Sequence, residues 1–503
     1  MSTGDEPLTR LLHQLCDDRF ASRLFAQDVT LWGPHAEADA ATRLGWVRPF
    51  AAADRVMREA EELRDRLRAQ GVDRIVLCGM GGSSLGPEVV ARAAGVSLTI
   101  LDSTHPAEVE RHLERDLSRT AVVISSKSGS TVETLSHAAA FQRAFESASI
   151  DPVTRMIFVT DPNSDLAARA EEGYRVFAAD PTIGGRFSVL SAFGIVPTVL
   201  AGADIRPVLA DAHLAAEHLS RDTVTNPGLR LAAELARGLP DQNILLFAEH
   251  PTRQWGLGDW VEQLLAESTG KQGRGILPIS VDDTAHELGS PPAHAVVVRT
   301  AAAHTQLPTA TSAQLGERSI SIQASLGAQF MLWEVATAAV GHVIDINPFD
   351  QPDVEAAKIA ARDALDRAPE AAAVLQLENE QLEAPLVTEI ETHLSPAGYL
   401  VIQAFVDRDD PFADRVRRLR TMLAQRLEVP VSLCWGPRYL HSVGQFHKGG
   451  PALGVFLQLI DLTDHEYPIP GSVNGFGALM RAQAQGDREV LTARGRPVIV
   501  RSR

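Results

Sequence analysis

Lysine is nearly missing from this chain. Of its 47 basic residues only four are lysines, Lys127, Lys271, Lys358 and Lys448, and the other 43 are arginines. Genome composition explains the scarcity but not the positions. Where arginine supplies nearly all positive charge, a surviving lysine marks a place that uses a compact ammonium of tunable pKa. Positive charge as a whole is also short: 64 acidic residues outweigh it, the formal net charge is −17, and no basic run appears. That excludes a nucleic-acid surface, so any anion must be captured locally. Cysteine is scarce too. Cys16, Cys78 and Cys434 are odd in number and far apart, which argues against a disulfide framework or a CxxC metal site and fits a reducing cytoplasm. No HxH or HxxxH cluster with carboxylates appears, so no metal is expected. Long apolar runs are absent as well. The start, "MSTGDEPLTRLLHQLC", has no signal-type core, and the longest uncharged apolar stretch, residues 189–203, holds Gly194 and Pro197 and is too short to cross a bilayer. The expectation is a soluble cytoplasmic protein that touches neither nucleic acid nor membrane.

What the chain does have is length and alternation. Its 503 residues, 45% hydrophobic and 22% charged, can bury at least two cores. Residues 1–70 read as helices, including the amphipathic "AAADRVMREAEELRDRLRAQ" ended by Gly71. Strand candidates then alternate with helical patterns: residues 74–78, 97–102, 120–126, 155–160 and 174–178. Several are continuous apolar runs, as in a parallel sheet covered on both faces. A second alternation runs from "QNILLFAE" through "GILPIS", "HAVVVRT" and "SISIQA" to a helical region past Lys358. Residues 368–407 hold no lysine or arginine, and the acidic "LENEQLEAPLVTEIET" marks a boundary or inter-domain helix. A third unit follows, with "GYLVIQAFVD", an arginine-rich helix at 411–427, "VPVSLCW" and "GVFLQLIDL". The expected division is a helical segment at 1–70, α/β domains at 71–235 and 236–367, and a C-terminal α/β segment at 368–503.

The loop "LCGMGGSSLGPEVV", after the first strand candidate, half-matches a dinucleotide fingerprint. Gly79 and Gly81 are in place and Asp102 stands where a ribose-binding acid would, but the third glycine position is Ser84. One βα unit later comes "SSKSGSTVET", with four hydroxyl residues around Lys127, and Ser130 with Glu133 at capping-box spacing. Hydroxyls, backbone N–H groups and a helix start make a monophosphate site, with Lys127 as its point charge. Loops on consecutive strands of one sheet face the same edge, so both can hold one sugar phosphate.

With those two loops the chain resembles the sugar isomerase (SIS) domains, and within them the phosphoglucose isomerase family. "GMGGSSLGP", "SSKSGSTVET", "GGRFSVLSAFG", "QLLAESTGK" and "DINPFDQPDVEAAK" occur in the family's order across most of residues 70–360. The resemblance implies two three-layer α/β/α domains with parallel sheets. It implies an aldose–ketose isomerase acting on glucose 6-phosphate and fructose 6-phosphate, without cofactor and as a homodimer whose sites are completed across the interface. The order and the tail from Tyr467 onward look like the isomerase portion of transaldolase and phosphoglucose isomerase fusions. No transaldolase portion is expected within these residues, since its Schiff-base lysine would need a home and all four lysines lie in isomerase motifs.

An aldose–ketose exchange needs a base, a stabiliser for the enediolate and an acid that opens the ring. Gln263, Glu267 and Lys271 follow one another at helical spacing before the candidate C-cap Gly270, and the negative helix end would raise the carboxyl of Glu267; an exposed Glu267–Lys271 pair is the plainer alternative. The resemblance makes Glu267 the base, Gln263 a substrate contact and Arg186 of "GGRFS" the enediolate stabiliser. Asp350 or Gln351 can cap a helix with Pro352 in its first turn, which sets Gln351 and Lys358 on one face; the resemblance puts Gln351 at the phosphate and Lys358 at the ring oxygen. "YLHSVGQFHKGG" resembles the family's histidine segment and makes His441 the ring-opening acid, although it follows Lys358 instead of preceding it. Ser126, Lys127, Ser128 and Thr131 would grip the phosphate, with Gly82 and Ser83 near the sugar. Ser84 stands where the family pattern has an acidic residue. A non-catalytic SIS-type regulatory binder, and an isomerase that also accepts mannose 6-phosphate, are the alternatives.

Overall fold

A computed structural model describes residues 6–300, 309–312, 319–365, 373–374, 384–462 and 465–503. Its first long helix, Phe50–Ala69, forms because Ala53, Val56, Met57, Ala60, Leu63 and Leu67 recur every three or four residues and bury one stripe. The helix gives way at Gly71, whose φ of 81° is the left-handed turn that a β-carbon resists.

The first sheet contains β1 (Arg74–Gly79), β2 (Thr99–Leu101), β3 (Thr120–Ser125), β4 (Met156–Thr160) and β5 (Arg175–Ala178), all parallel, in the order β2-β1-β3-β4-β5. The order reverses between β1 and β3, so the connections leave to opposite sides and a crevice opens at the carboxyl ends of those two strands. The glycine loop and the hydroxyl loop are the two segments that leave there.

The second sheet has β6 (Ile244–Ala248), β7 (Leu277–Val281), β8 (Ala295–Thr300), β9 (Thr309–Ser312) and β10 (Ser319–Gln323), in the order β7-β6-β8-β10-β9. It corrects the expectation of a wholly parallel sheet: β9 runs antiparallel to β10, at the edge, where such a strand needs no crossover helix. The third, again parallel, has β11 (Ala373–Val374), β12 (Tyr399–Phe405), β13 (Val431–Trp435), β14 (Gly454–Ile460) and β15 (Val498–Ser502), in the order β11-β15-β14-β12-β13. The arginine-rich helix falls at Pro411–Leu427, and Ala384–His393 is helical within the acidic stretch.

Apolar clusters tie the sheets together. One joins the N-terminal helices to faces of the first two sheets around the helix Leu326–Val343. Another joins the second sheet to the third through Ile279, Tyr399, Phe446 and Phe456. A third places Phe476 and Leu479, from the helix Phe476–Ala493, against the first sheet. The third sheet also reverses, between β12 and β14, but residues from the first unit fill that end: Arg408 donates to Asp102 and Glu108, His105 meets Asp461 at 3.3 Å, and Arg111 pairs with Asp407. Among the described residues no helix is long and apolar enough to cross a membrane, and no cluster of histidine, cysteine and carboxylate side chains could hold a metal.

Candidate active site

Glycine is required in the first loop because three elements meet on it. Gly81 has φ 55°, and a β-carbon there would lie 2.4 Å from the His441 carbonyl oxygen and 2.6 Å from Gln263 Nε2. One on Gly82 would lie 2.0 Å from the carbonyl oxygen of Gly185, the residue before Arg186. Gly82 is thus where the loop carrying Arg186 docks, with Ser83 next to it, 8% exposed. Ser84 turns away: its Oγ donates to Gly81 O at 3.2 Å and to Asp102 Oδ2 at 3.4 Å. Asp102 is fully buried and accepts from Arg408 Nη1 at 2.7 Å and Arg438 Nη1 at 2.9 Å. Burial alone would raise its carboxyl, but the two guanidinium groups outweigh burial and hold it below its usual value. Asp102 is a structural anion rather than the ribose acid its position resembled.

The second loop starts at buried Ser126, whose Oγ lies 3.0 Å from Thr131 Oγ1, while the Ser128 and Ser130 hydroxyls are 2.9 Å apart. The helix Val132–Ser147 begins at N-cap Thr131 without a side-chain cap, which corrects the expected Ser130–Glu133 capping box. Its first-turn N–H groups are therefore uncapped donors at the positive end of a helix of four turns or so. Lys127 Nζ donates to Asp161 Oδ2 at 2.7 Å and to Pro181 O at 3.3 Å. Burial lowers its ammonium pKa despite that partner.

The helix Leu257–Thr269 presents Gln263 and Glu267, one turn apart and both buried, beneath the glycine loop. Gln263 Nε2 donates to Glu267 Oε2 at 3.2 Å and to His441 O at 2.8 Å, and its Oε1 has no partner among the described residues. Arg186 faces Glu267, Nη1 to Oε1 3.6 Å. Its other donors are fixed by Ser268 Oγ at 2.8 Å, Pro348 O at 2.6 Å, Asp350 O at 3.1 Å and Gln351 Oε1 at 3.2 Å. Burial raises the Glu267 carboxyl above its usual value, with Arg186, Gln263 and Lys271 pulling the other way. The plainer alternative of an exposed Glu267–Lys271 pair does not hold, since Lys271 is buried, pairs with Asp350 and donates to Asn347 O at 2.7 Å. Burial, helped by Arg186, brings its ammonium down to about 8. Gln351 holds the N-cap position of the helix Pro352–Ala364 without a side-chain cap bond, and Asp350 is occupied by Lys271, so neither caps it. Lys358 lies two turns into that helix, and its side chain falls outside the described residues.

His441 comes from the third unit and reaches the same crevice within the one chain. Its Nε2 lies 2.8 Å from Glu133 Oε1. Burial would raise Glu133, yet the facing imidazole more than offsets it and leaves the carboxyl below its usual value. An ionised Glu133 accepts only, so His441 Nε2–H is the donor of this bond, and Nδ1 is left for another partner. The sequence reading missed Glu133 as a site residue because its spacing from Ser130 imitates a cap.

A buried carboxylate facing a buried arginine, beside a hydroxyl-rich loop at the switch point of a parallel sheet, defines an α/β enzyme built for acid–base work on an anionic substrate. The model of the family described as "Phosphoglucose isomerase" matches residues 61–272. The "Glucose-6-phosphate isomerase" of Heliobacterium modesticaldum is 30% identical over 62% of this chain and 85% of the relative, and the "Probable glucose-6-phosphate isomerase" of Haloquadratum walsbyi 31% identical over 60% and 81%. The crystal structure of a hypothetical protein from Thermus thermophilus superposes with a TM-score of 0.60 at 27% identity, covering 72% of this chain and 97% of that one. The chain belongs to the phosphoglucose isomerase family and is an aldose–ketose isomerase.

Proposed function

We propose that this enzyme interconverts glucose 6-phosphate and fructose 6-phosphate through an enediolate, in the cytoplasm and without metal or cofactor. The observation that carries this reading is the buried Arg186–Glu267 pair, 3.6 Å apart. A carboxyl raised by burial is suited to take a proton from carbon, and a fixed guanidinium beside it can meet the negative charge that develops. Ser126, Lys127, Ser128, Thr131 and the uncapped helix start would bind the phosphate, with Gly82 and Ser83 under the sugar. Glu267 would move the proton between C2 and C1 while Arg186 stabilises the enediolate. His441 would deliver or take the ring-opening proton through Nδ1, with Lys358 at the ring oxygen, and Gln263 and Gln351 would orient the substrate. The unpartnered Oε1 of Gln263 supports a substrate contact. A regulatory binder would need the phosphate loop but not a carboxylate buried against an arginine.

The resemblance implies a homodimer with sites completed across its interface, but His441 meets Glu133 within one chain, which favours a site that a single chain supplies. A coupled assay of fructose 6-phosphate isomerisation in EDTA, run over a wide range of enzyme concentration, tests the proposal. Turnover in EDTA at constant specific activity is expected. No turnover would reject the reaction, and loss on dilution would reject self-contained sites.

A further inference from the structure

The helix Phe476–Ala493 carries none of the sequence motifs assigned to chemistry, yet one of its faces touches Glu133 and the segment that brings in His441. Gln483, 4% exposed, donates from Nε2 to Glu133 Oε1 at 2.6 Å, the same oxygen that meets His441 Nε2. The orientation of its amide is fixed from behind: Thr104 Oγ1 donates to Gln483 Oε1 at 2.8 Å, which leaves the NH₂ group no choice but to face Glu133. One turn on, Asp487 accepts from the Tyr439 hydroxyl at 2.7 Å and pairs with Lys448 Nζ at 2.5 Å, all three side chains being buried. Tyr439 and Lys448 flank His441 on the short segment that brings it to the crevice. The helix therefore grips the histidine's segment with Asp487 and the carboxylate with Gln483, four residues apart, the spacing at which two side chains share a helix face.

We infer that Gln483 is a positioning residue for ring opening, acting through Glu133: its amide fixes the carboxylate that orients the His441 imidazole. Glu133 has a free choice of rotation about its terminal torsion unless something other than His441 holds it. With Thr104 and Gln483 in place, the carboxylate is presented to Nε2 in one orientation, and Nδ1 is aimed accordingly. Without them the histidine keeps its partner but loses its direction, which costs rate rather than substrate affinity. The inference rests on the proposed function, since it needs His441 to move a proton.

The test is a mutant cycle with Gln483→Met, close in size but without a donor, and Glu133→Gln. With the cyclic sugar phosphate, Gln483→Met is expected to lower kcat about tenfold while KM stays within about twofold, and to cost nothing further in the Glu133→Gln background. Thr104→Val, which frees the amide to turn, is expected to lose part of the same kcat and provides a variant with a gentler effect on folding. Equal losses from Gln483→Met in both backgrounds, or wild-type kcat in both Gln483→Met and Thr104→Val, would overturn the inference while leaving the functional reading intact. A wild-type enzyme without isomerase activity would overturn both.

Discussion

Arg186 stands 3.6 Å from Glu267 with both side chains buried, so a charge pair sits in the crevice with little of either partner exposed to solvent. The arginine is committed elsewhere as well, to Ser268, Pro348, Asp350 and Gln351, which fixes its plane and leaves the carboxylate as the movable, titratable member. Around it the chain has arranged opposing influences: burial raises Glu267, while Arg186, Gln263 and Lys271 restrain the rise.

Removing the base without changing shape tests this centre. Glu267→Gln should leave sugar-phosphate binding and thermal stability close to wild type and lower isomerisation at least about 100-fold, the scale of general-base loss. Turnover near wild type in the coupled assay would remove Glu267 from the mechanism.

Lys271 offers a test of sign. Its charge lowers the Glu267 carboxyl, so Lys271→Met should let that carboxyl rise further. The base form of Glu267 is the ionised one, present above its pKa and lost as pH falls through it. The acid limb of the pH profile of kcat/KM should therefore move to higher pH, and an unmoved limb would contradict the electrostatic account.

Lys127 is held by Asp161, which makes the pair, rather than the lysine alone, the unit to perturb. Lys127→Ala removes a cation and strands a carboxylate beside the phosphate loop, so KM should rise by about tenfold or more, with a smaller change in kcat. Asp161→Asn removes the competitor for the same ammonium, and KM should hold or fall. An unchanged substrate affinity in Lys127→Ala would take the residue out of the phosphate site.

How far the sequence could be read follows the range of the interactions involved. The apolar runs that became β1, β3, β12 and β14 were legible because a strand covered on both faces writes its burial into consecutive residues. The edge strands β9 and β11, of four and two residues, carry too little pattern, and β15 was hidden in a tail read for its resemblance. At the site, Glu267, Gln263 and Arg186 were named from local motifs and the structure gathers them in one place. Glu133 was misread because its local spacing matched a cap, and the role of Asp102 was not legible once the ribose-acid reading fell with Ser84, because the real partners of both are some 300 positions away. The described side chains of the scarce lysines Lys127, Lys271 and Lys448 each hold a carboxylate in the interior or at its margin.

The Asp102 cluster gives the last prediction, which concerns how the third sheet is held so that His441 arrives at all. Asp102 ties Arg408, just after β12, and Arg438, three residues before His441, to the first sheet, while Glu88 accepts from Arg438 at 2.7 Å and Glu108 from Arg408 at 2.8 Å. Breaking a buried pair by removing one partner leaves an uncompensated charge and costs about 3–5 kcal/mol. Asp102→Asn, nearly the same size, should thus lower the denaturant midpoint clearly and reduce activity by loosening the histidine segment, with Glu267 untouched. The pH dependence has a definite sign. The folded carboxyl titrates below its usual value, so its stabilising contribution is complete above the ordinary aspartate pKa and is lost as pH falls through the folded one. Wild type should therefore lose stability over that acid window more steeply than Asp102→Asn, and the two curves should converge at low pH. Parallel curves would show that Asp102 does not carry the charge that locks the third sheet to the first.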